Sequence, residues 1–195
     1  GFAVRTRQQF AVRVVCMSQI RGATVLEAVA SLGGTVSGML APEFSGISTD
    51  SRQIQKGEIF LALKGERDDG HLFVDAAGKN GAAAVVVERP LDVGVSCVVQ
   101  VPDAVAFLQE LARRHIAGHD AERVAMTGSN GKTTTKELFR AAAQACLGVD
   151  GVLSSAGNQN NHLGVPLTAL RLTRRHRLAI FEMGMNHKGE LTQLC

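Results

Sequence analysis

A single stretch near the middle of the chain, residues 122–139, most constrains how the protein folds. It reads ERVAMTGSNGKTTTKELF. The apolar residues 124–126 predict the end of a short buried strand, residues 128–131 predict a turn with little side-chain bulk, and Lys132 begins a helix that runs to about Leu147. A strand, a glycine turn and a helix in this order can hold phosphates, because free backbone N–H groups in the turn and in the first helical turn point at the anion.

The residues of this loop and of the first helical turn form the predicted nucleotide site. They are consecutive in the chain: Gly128, Ser129, Asn130, Gly131, Lys132, Thr133 and Thr134. Lys132 is predicted to neutralise the outer phosphates, and the Thr133 hydroxyl to ligate Mg²⁺. A usual P-loop has four residues between its glycines, which would place a glycine where this chain has Met126. The loop is therefore a shortened variant.

An acidic residue is the second catalytic candidate, beside Lys132. Glu182 directly follows the apolar run 178–181, which predicts a buried strand. An acid at this position lies at the carboxyl edge of a parallel sheet, where α/β proteins bind their ligands and where the phosphate loop also lies. We therefore predict that Glu182 completes the Mg²⁺ shell that Thr133 begins.

Short apolar runs alternate with helical patterns along the chain, which predicts an α/β fold. The strands predicted ahead of the phosphate loop cover residues 59–63, 83–88 and 95–101. The helices predicted in the same part cover residues 24–32, 71–79 and 103–118. A capping box, Thr24-x-x-Glu27, is predicted to start the first of these helices.

The polar residues 119–122 separate the two predicted parts of the chain. We predict a first domain over residues 17–118 and the beginning of a second, nucleotide-binding domain over residues 119–195. Residues 1–16 contain three arginines and no acid, and we predict that they are a leader outside the fold.

Composition argues against several classes of function. The net charge is +3, and there is no Trp or Tyr, so nucleic-acid binding has little support. No apolar run approaches the roughly 20 residues that span a membrane. The cysteines are far apart, at Cys16, Cys97, Cys146 and Cys195. This spacing favours reduced thiols and a cytoplasmic protein.

Other polar loops are weaker candidates for binding a second ligand. Ser51, Arg52 and Lys64, in two loops of the first part, can grip another anion. Asn158 and Asn161, in the loop GNQNNH, carry amides that suit a carboxylate or a phosphate. Taken alone, each of these residues is more typical of a protein surface or a plain turn.

Five motifs together resemble the Mur ligases, over about residues 18–195. They are TGSNGKTT, DSR with a following KGEIFLAL, KGERDDGHLF, GNQNNHLGVPLTALRL and FEMGMNHKGE. The short phosphate loop agrees with the family form TG-x-NGKT. The resemblance implies three domains, for a UDP-sugar-peptide, for ATP and for the incoming amino compound. It also implies that this chain holds the first domain and part of the second, with the C-terminal domain absent.

The resemblance further implies the site residues and the activity. Ser51, Arg52, Lys64, Asp69, Gly70 and His71 would lie near the UDP-sugar substrate. Residues 128–134 would hold ATP, and Glu182 would bind Mg²⁺. The family's later metal-binding His and carbamylated Lys have no counterpart before Cys195, so the chain alone is expected to be inactive.

Two patterns, GN-x-NN-x-x-GVP and E-x-G-x-NH-x-GE, favour one step among those of the family. In that step D-alanyl-D-alanine is joined to UDP-N-acetylmuramoyl-tripeptide through an acyl phosphate, in peptidoglycan precursor synthesis. The alternative within the family is the ligase that forms the tripeptide. Outside it, the alternatives are a P-loop kinase and a nucleotide-binding module without catalysis.

Overall fold

The computed structural model describes residues 19–65, 68–157 and 160–184. The strands in these ranges are β1 Ile20–Arg21, β2 Thr35–Gly38, β3 Glu43–Phe44, β4 Gly46–Ser48, β5 Glu58–Leu61, β6 Ala84–Val87, β7 Cys97–Gln100, β8 Glu122–Met126, β9 Val152–Ser154 and β10 Leu178–Glu182. The α-helices there are α1 Gly22–Ser31, α2 Val74–Lys79, α3 Ala104–Ala117, α4 Lys132–Leu147 and α5 Gly164–Ala169. Short 3₁₀ helices cover Gly70–Phe73 and Val149–Gly151. The predicted α/β class is confirmed.

The first part of the chain is built on a five-stranded sheet with the order β2-β7-β6-β5-β4. Its neighbours pair in parallel, except that β2 runs antiparallel to β7. All four residues of β6 are buried, because helices cover both faces of a parallel sheet of this kind. Ala84 and Val86 pack in one apolar cluster with α1 and α3. Val85 and Val87 pack in another with α2.

The second part is built on a three-stranded parallel sheet with the order β8-β10-β9. The central strand β10 is buried along its whole length. The strand β8 lies at the edge, so Val124 and Met126 are only half-buried and Ala125 is exposed. The prediction that residues 124–126 are buried is therefore wrong, because an apolar run alone does not tell an edge strand from a central one.

The two parts share one apolar core. Phe107 and Leu111 of α3 belong to the same buried cluster as Val165 of α5 and Phe181 of β10. The buried His115 of α3 also lies 3.0 Å, at Nε2, from the carbonyl oxygen of Leu172. The predicted boundary near residue 118 falls between α3 and β8, and the division into two domains stays a prediction.

The helix that follows the phosphate loop begins at Lys132 and ends at Leu147, as predicted. The predicted capping box at Thr24 is wrong. The helix α1 begins at Gly22, its N-cap is Arg21, and no side chain caps it. The Gly22 N–H instead donates to the carbonyl oxygen of Pro42 at 2.7 Å, so a tertiary contact sets the start of the helix.

The predicted leader, residues 1–16, lies outside the described residues. Among the described residues, no helix is both long and apolar enough to cross a membrane.

Candidate nucleotide-binding site

The glycine loop between β8 and α4 has the backbone that a phosphate cradle needs. Gly131 is the N-cap of α4 and adopts φ 75°, in the left-handed region, where a side chain would strain the backbone. The loop residues Gly128, Ser129 and Asn130 are exposed. In any α-helix the first N–H groups have no partner within the helix, so the start of α4 offers donors to an anion placed on this loop.

Lys132 folds back over the loop. Its Nζ donates to the carbonyl oxygen of Gly128 at 2.5 Å, and the residue is half-buried. The ammonium group therefore lies beside the loop rather than pointing away into solvent. Thr134 is exposed next to it.

Glu182 ends β10 and is only 2% exposed. Its Oε1 accepts hydrogen bonds from Thr133 Oγ1 at 3.0 Å and from Asn160 Nδ2 at 3.2 Å. Its Oε2 lies 3.2 Å from Lys136 Nζ. The fold thus brings the two residues predicted to hold the metal, Thr133 and Glu182, into direct contact, as the shared carboxyl edge of the sheet requires.

Three residues that contact Glu182 or its neighbours were not predicted from the sequence. Lys136 is fully buried, and its Nζ donates to the Ser155 carbonyl oxygen at 2.9 Å. The Ser155 hydroxyl accepts from the Glu182 N–H at 3.2 Å. Asn160 lies in the predicted Asn-rich loop, in which Asn158 and Asn161 are the residues predicted to bind a ligand. The spacing of Lys136, three residues after Thr133 on one helical face, was the available signal.

These contacts decide the charge of Glu182. Burial raises the pKa of the carboxyl group. Hydrogen bonds from Asn160 and Thr133, together with the close ammonium group of Lys136 and its charge, outweigh burial and bring the pKa below its usual value. The carboxylate is therefore ionised at neutral pH and can ligate a cation.

The site fits Mg²⁺ as judged by its donor atoms. Glu182 Oε2 is buried and accepts no hydrogen bond, although Lys136 lies within ion-pair distance of it, so a lone pair on this oxygen stays open. Thr133 adds a hydroxyl oxygen, and Mg²⁺ prefers oxygen ligands, with water and phosphate oxygens completing its shell. Within the described ranges there is no group of three or more His, Cys, Asp or Glu residues that could hold a metal ion.

Asp69, Gly70 and His71 form a tight turn in the first part of the chain. Asp69 Oδ1 accepts from the His71 backbone N–H at 3.0 Å and lies 2.6 Å from His71 Nδ1. His71 Nε2 accepts from the Glu88 N–H at 3.0 Å, so Nδ1 carries the proton and donates to Asp69. These hydrogen bonds, led by the one from the His71 backbone, lower the pKa of Asp69 to about 2. The carboxylate and the imidazole therefore hold the turn in shape.

The remaining substrate candidates of the first part are polar and mostly at the surface. Arg52 is 86% exposed at its side chain and makes a two-point ion pair with Asp50, both bonds being 2.9 Å. The hydrogen bonds that Arg52 donates to Asp50, and the charge of that carboxylate, raise the pKa of Arg52. Lys64 is exposed, and Ser51 is buried.

The loop before α5 uses one of its asparagines as a helix cap. Asn161 Oδ1 accepts from the N–H groups of Leu163 at 3.2 Å and Gly164 at 2.8 Å. Asn158 lies outside the described residues. A substrate contact for either residue stays a prediction.

Comparison with known proteins assigns this site to a family. A profile of the Mur ligase middle domain matches residues 126–195, which span the phosphate loop and Glu182. Over 175 residues the chain is 39% identical to the UDP-N-acetylmuramoyl-tripeptide–D-alanyl-D-alanine ligase of Bacillus subtilis (strain 168). The alignment covers 85% of this chain and 37% of the relative. The chain belongs to the Mur ligase family. It spans little more than a third of the length of this relative.

Solved structures of Mur ligases also resemble this Mur ligase chain in their fold. A crystal structure of MurF from Acinetobacter baumannii matches with a TM-score of 0.82 and 34% identity, over 92% of this chain and 38% of that one. The MurF ligase from Thermotoga maritima in complex with ADP matches with a TM-score of 0.67 and 33% identity, over 77% of this chain and 34% of that one. The predicted family and the predicted fold are both confirmed.

Proposed function

We propose that this chain is the substrate-binding and nucleotide-binding part of an ATP-dependent ligase that joins D-alanyl-D-alanine to UDP-N-acetylmuramoyl-tripeptide. The observation that carries the proposal is the contact between Thr133 Oγ1 and the buried Glu182 carboxylate at 3.0 Å, directly beside the glycine loop. This arrangement suits a nucleotide triphosphate with its Mg²⁺. The identity to the relative from Bacillus subtilis, whose name states this reaction, supports the choice of substrates.

The residues of the loop bind and orient ATP in this proposal. Backbone N–H groups of residues 128–134 surround the phosphates, and Lys132 turns from the Gly128 carbonyl oxygen to the outer phosphates. Thr133 and Glu182 would hold Mg²⁺, which would neutralise charge on the γ-phosphate. Catalysis by such a site consists mainly of positioning and electrostatic stabilisation.

The proposed reaction is amide formation in two steps. The carboxylate of the tripeptide attacks the γ-phosphorus, the bond to ADP breaks, and an acyl phosphate forms. The neutral amine of D-alanyl-D-alanine then attacks the acyl carbon through a tetrahedral intermediate. Phosphate leaves with the former carboxylate oxygen, and the amine gives up a proton.

The first part of the chain supplies the proposed UDP-sugar contacts. The exposed cations of Arg52 and Lys64 are suited to the diphosphate, since both carry a positive charge at the surface of polar loops. Ser51 and the turn formed by Asp69, Gly70 and His71 shape the loops that carry them. Asn158 and Asn161 are proposed to contact the peptide end of the substrate.

We also propose that the protein works in the cytoplasm. The thiols of Cys97 and Cys146 are free, as in a reducing compartment, and ATP and the UDP-linked precursor are small soluble molecules.

The test is ADP release by the complete protein with each combination of substrates. We expect ADP only when UDP-N-acetylmuramoyl-tripeptide and D-alanyl-D-alanine are both present, with the joined peptide found by mass spectrometry. ADP release with the UDP-linked dipeptide and a diamino acid would instead assign the tripeptide-forming step. ADP release without any amine would assign a kinase or a nucleotide hydrolase.

A further inference from the structure

One residue at the nucleotide site, Lys136, has no role in the function described so far. It lies one helical turn after Thr133, so both side chains project from the same face of α4. Thr133 contacts Oε1 of Glu182 at 3.0 Å, and Lys136 contacts Oε2 at 3.2 Å. The helix that begins at the phosphate loop thus holds both oxygens of one carboxylate on β10.

The burial of Lys136 makes this contact unusual. It is the one residue of α4 that is buried, with 0% of its surface exposed. A lysine ammonium group removed from water is strongly unfavourable unless it is paired and hydrogen-bonded. The Lys136 partners are the Ser155 carbonyl oxygen at 2.9 Å, Glu182 at 3.2 Å and the half-exposed Glu137 at 3.5 Å. An apolar side chain would fill the same space without this penalty, so packing alone does not account for a lysine here.

We propose that Lys136 is a positioning residue, which holds the Glu182 carboxylate in the orientation that Mg²⁺ requires beside Thr133. The inference rests on the proposed nucleotide function. The ammonium group fixes Oε2, and Asn160 and Thr133 fix Oε1, so the carboxylate cannot rotate on its side chain. Ser155 joins the same frame, because its carbonyl oxygen accepts from Lys136 and its hydroxyl accepts from the Glu182 N–H.

Two opposite effects follow when Lys136 loses its charge. Mg²⁺ no longer experiences repulsion from the ammonium group, which favours metal binding. The carboxylate also loses the group that orients it, and loss of a partner that orients a metal ligand typically weakens metal binding or activity by about 10–100-fold. The second effect is the larger one in this proposal, because Oε2 accepts no hydrogen bond among the described residues and its ion pair with Lys136 is what holds it.

The test measures how much Mg²⁺ strengthens ADP binding to the complete protein. Calorimetry gives the Kd of ADP with Mg²⁺ and the Kd with a chelator, and their ratio is the Mg²⁺ gain. We expect Lys136→Met to lower the gain about tenfold or more, while the Kd without metal changes less than about threefold, because the loop and Lys132 are untouched. Glu182→Gln should lower the gain similarly. The Mg²⁺ gain of the double variant should be no smaller than that of Glu182→Gln alone, since Lys136 acts through Glu182.

Glu137→Gln is the matched control, because it removes the other carboxylate near Lys136 and leaves Glu182 in place. Its Mg²⁺ gain should equal that of the wild type. If circular dichroism shows that Lys136→Met does not fold, Lys136→Gln takes its place, and its gain should fall about fivefold or more.

Several results would overturn the proposal. A folded Lys136 variant with an unchanged or larger Mg²⁺ gain would do so. An equal loss of ADP affinity with and without Mg²⁺ would show that Lys136 only supports packing. A wild-type protein that binds ADP without any Mg²⁺ gain, or does not bind it at all, would overturn the proposed function itself.

Discussion

At the scale of single residues, the proposed nucleotide site is tested most directly at Lys132. Replacement by alanine removes that charge from the phosphates, and we expect ADP release by the complete protein to fall by about 10²-fold or more. The free energy of unfolding should change by less than about 0.5 kcal/mol, because the half-buried side chain bonds only to the Gly128 carbonyl oxygen among the described contacts. Turnover and urea denaturation measure the two effects.

Lys79→Ala is the control for this variant, since Lys79 is an exposed lysine at the end of α2. It should leave both quantities unchanged. If the turnover of Lys132→Ala stays within about threefold of the wild type, Lys132 has no role in the proposed site.

Gly70 lies in the turn of the candidate substrate residues and leaves no room for a side chain. A Cβ atom there would lie 2.7 Å from both the N and the O of Leu63. We expect Gly70→Ala to destabilise the protein by about 1–3 kcal/mol and to raise KM for the UDP-linked substrate, because Asp69 and His71 move with it. Gly94 has no atom within 4 Å of such a Cβ, so Gly94→Ala should change neither. An equal effect of the two substitutions would show that the close approach to Leu63 is unimportant.

The amino-acid pattern placed Thr133 and Glu182 at the same edge of the sheet for a general reason. Parallel strands place their carboxyl ends at one edge, so a loop and an acid at two such ends must meet. Lys136 and Asn160 were missed because their importance depends on burial and on the approach of a separate loop. A lysine inside a helical pattern looks like an exposed residue until the packing is known.

At the scale of elements, the local sequence predicted the ends of a helix correctly only where no tertiary contact sets them. Glycines flank α4 at Gly131 and Gly148, and its predicted limits were right. The start of α1 is set by the backbone contact with Pro42, which no local pattern carries. The short strand β2 was missed, because its residues are mostly exposed and lack an apolar run.

The contact between α3 and the segment after α5 predicts a pH dependence. His115 is 5% exposed, and its Nε2 donates to the Leu172 carbonyl oxygen. Burial lowers the pKa of His115 by more than the hydrogen bond to Leu172 raises it, and the nearby charges of His119 and Arg21 lower it further. In the unfolded chain histidine has a pKa of about 6.5. The unfolded state therefore takes up a proton first, and the contribution of His115 to stability is lost as the pH falls from about 6.5 through the lower folded pKa.

Urea denaturation of the complete protein at about pH 7.5 and about pH 5.5 tests this expectation. The wild type should lose more stability between these values than His115→Gln, which cannot take up the proton. His162 is exposed, so His162→Gln should keep the wild-type difference. Equal pH dependence in the wild type and in His115→Gln would contradict the account.

At the scale of the whole molecule, the two sheets are joined by a shared core. Phe107 and Leu111 of the first part pack with Val165 and Phe181 of the second. The position of α3 is therefore coupled to β10, the strand that carries Glu182. The two sheets are thus connected through packed side chains.

The central claim, that this chain forms part of a ligase working through an acyl phosphate, is tested most directly by following one oxygen atom. The tripeptide carboxylate is labelled with heavy oxygen and incubated with the complete protein, ATP and D-alanyl-D-alanine. The phosphate released should contain a labelled oxygen from that carboxylate, because the attack on the γ-phosphorus transfers it. Phosphate that is released without label while the peptide is joined would contradict the account.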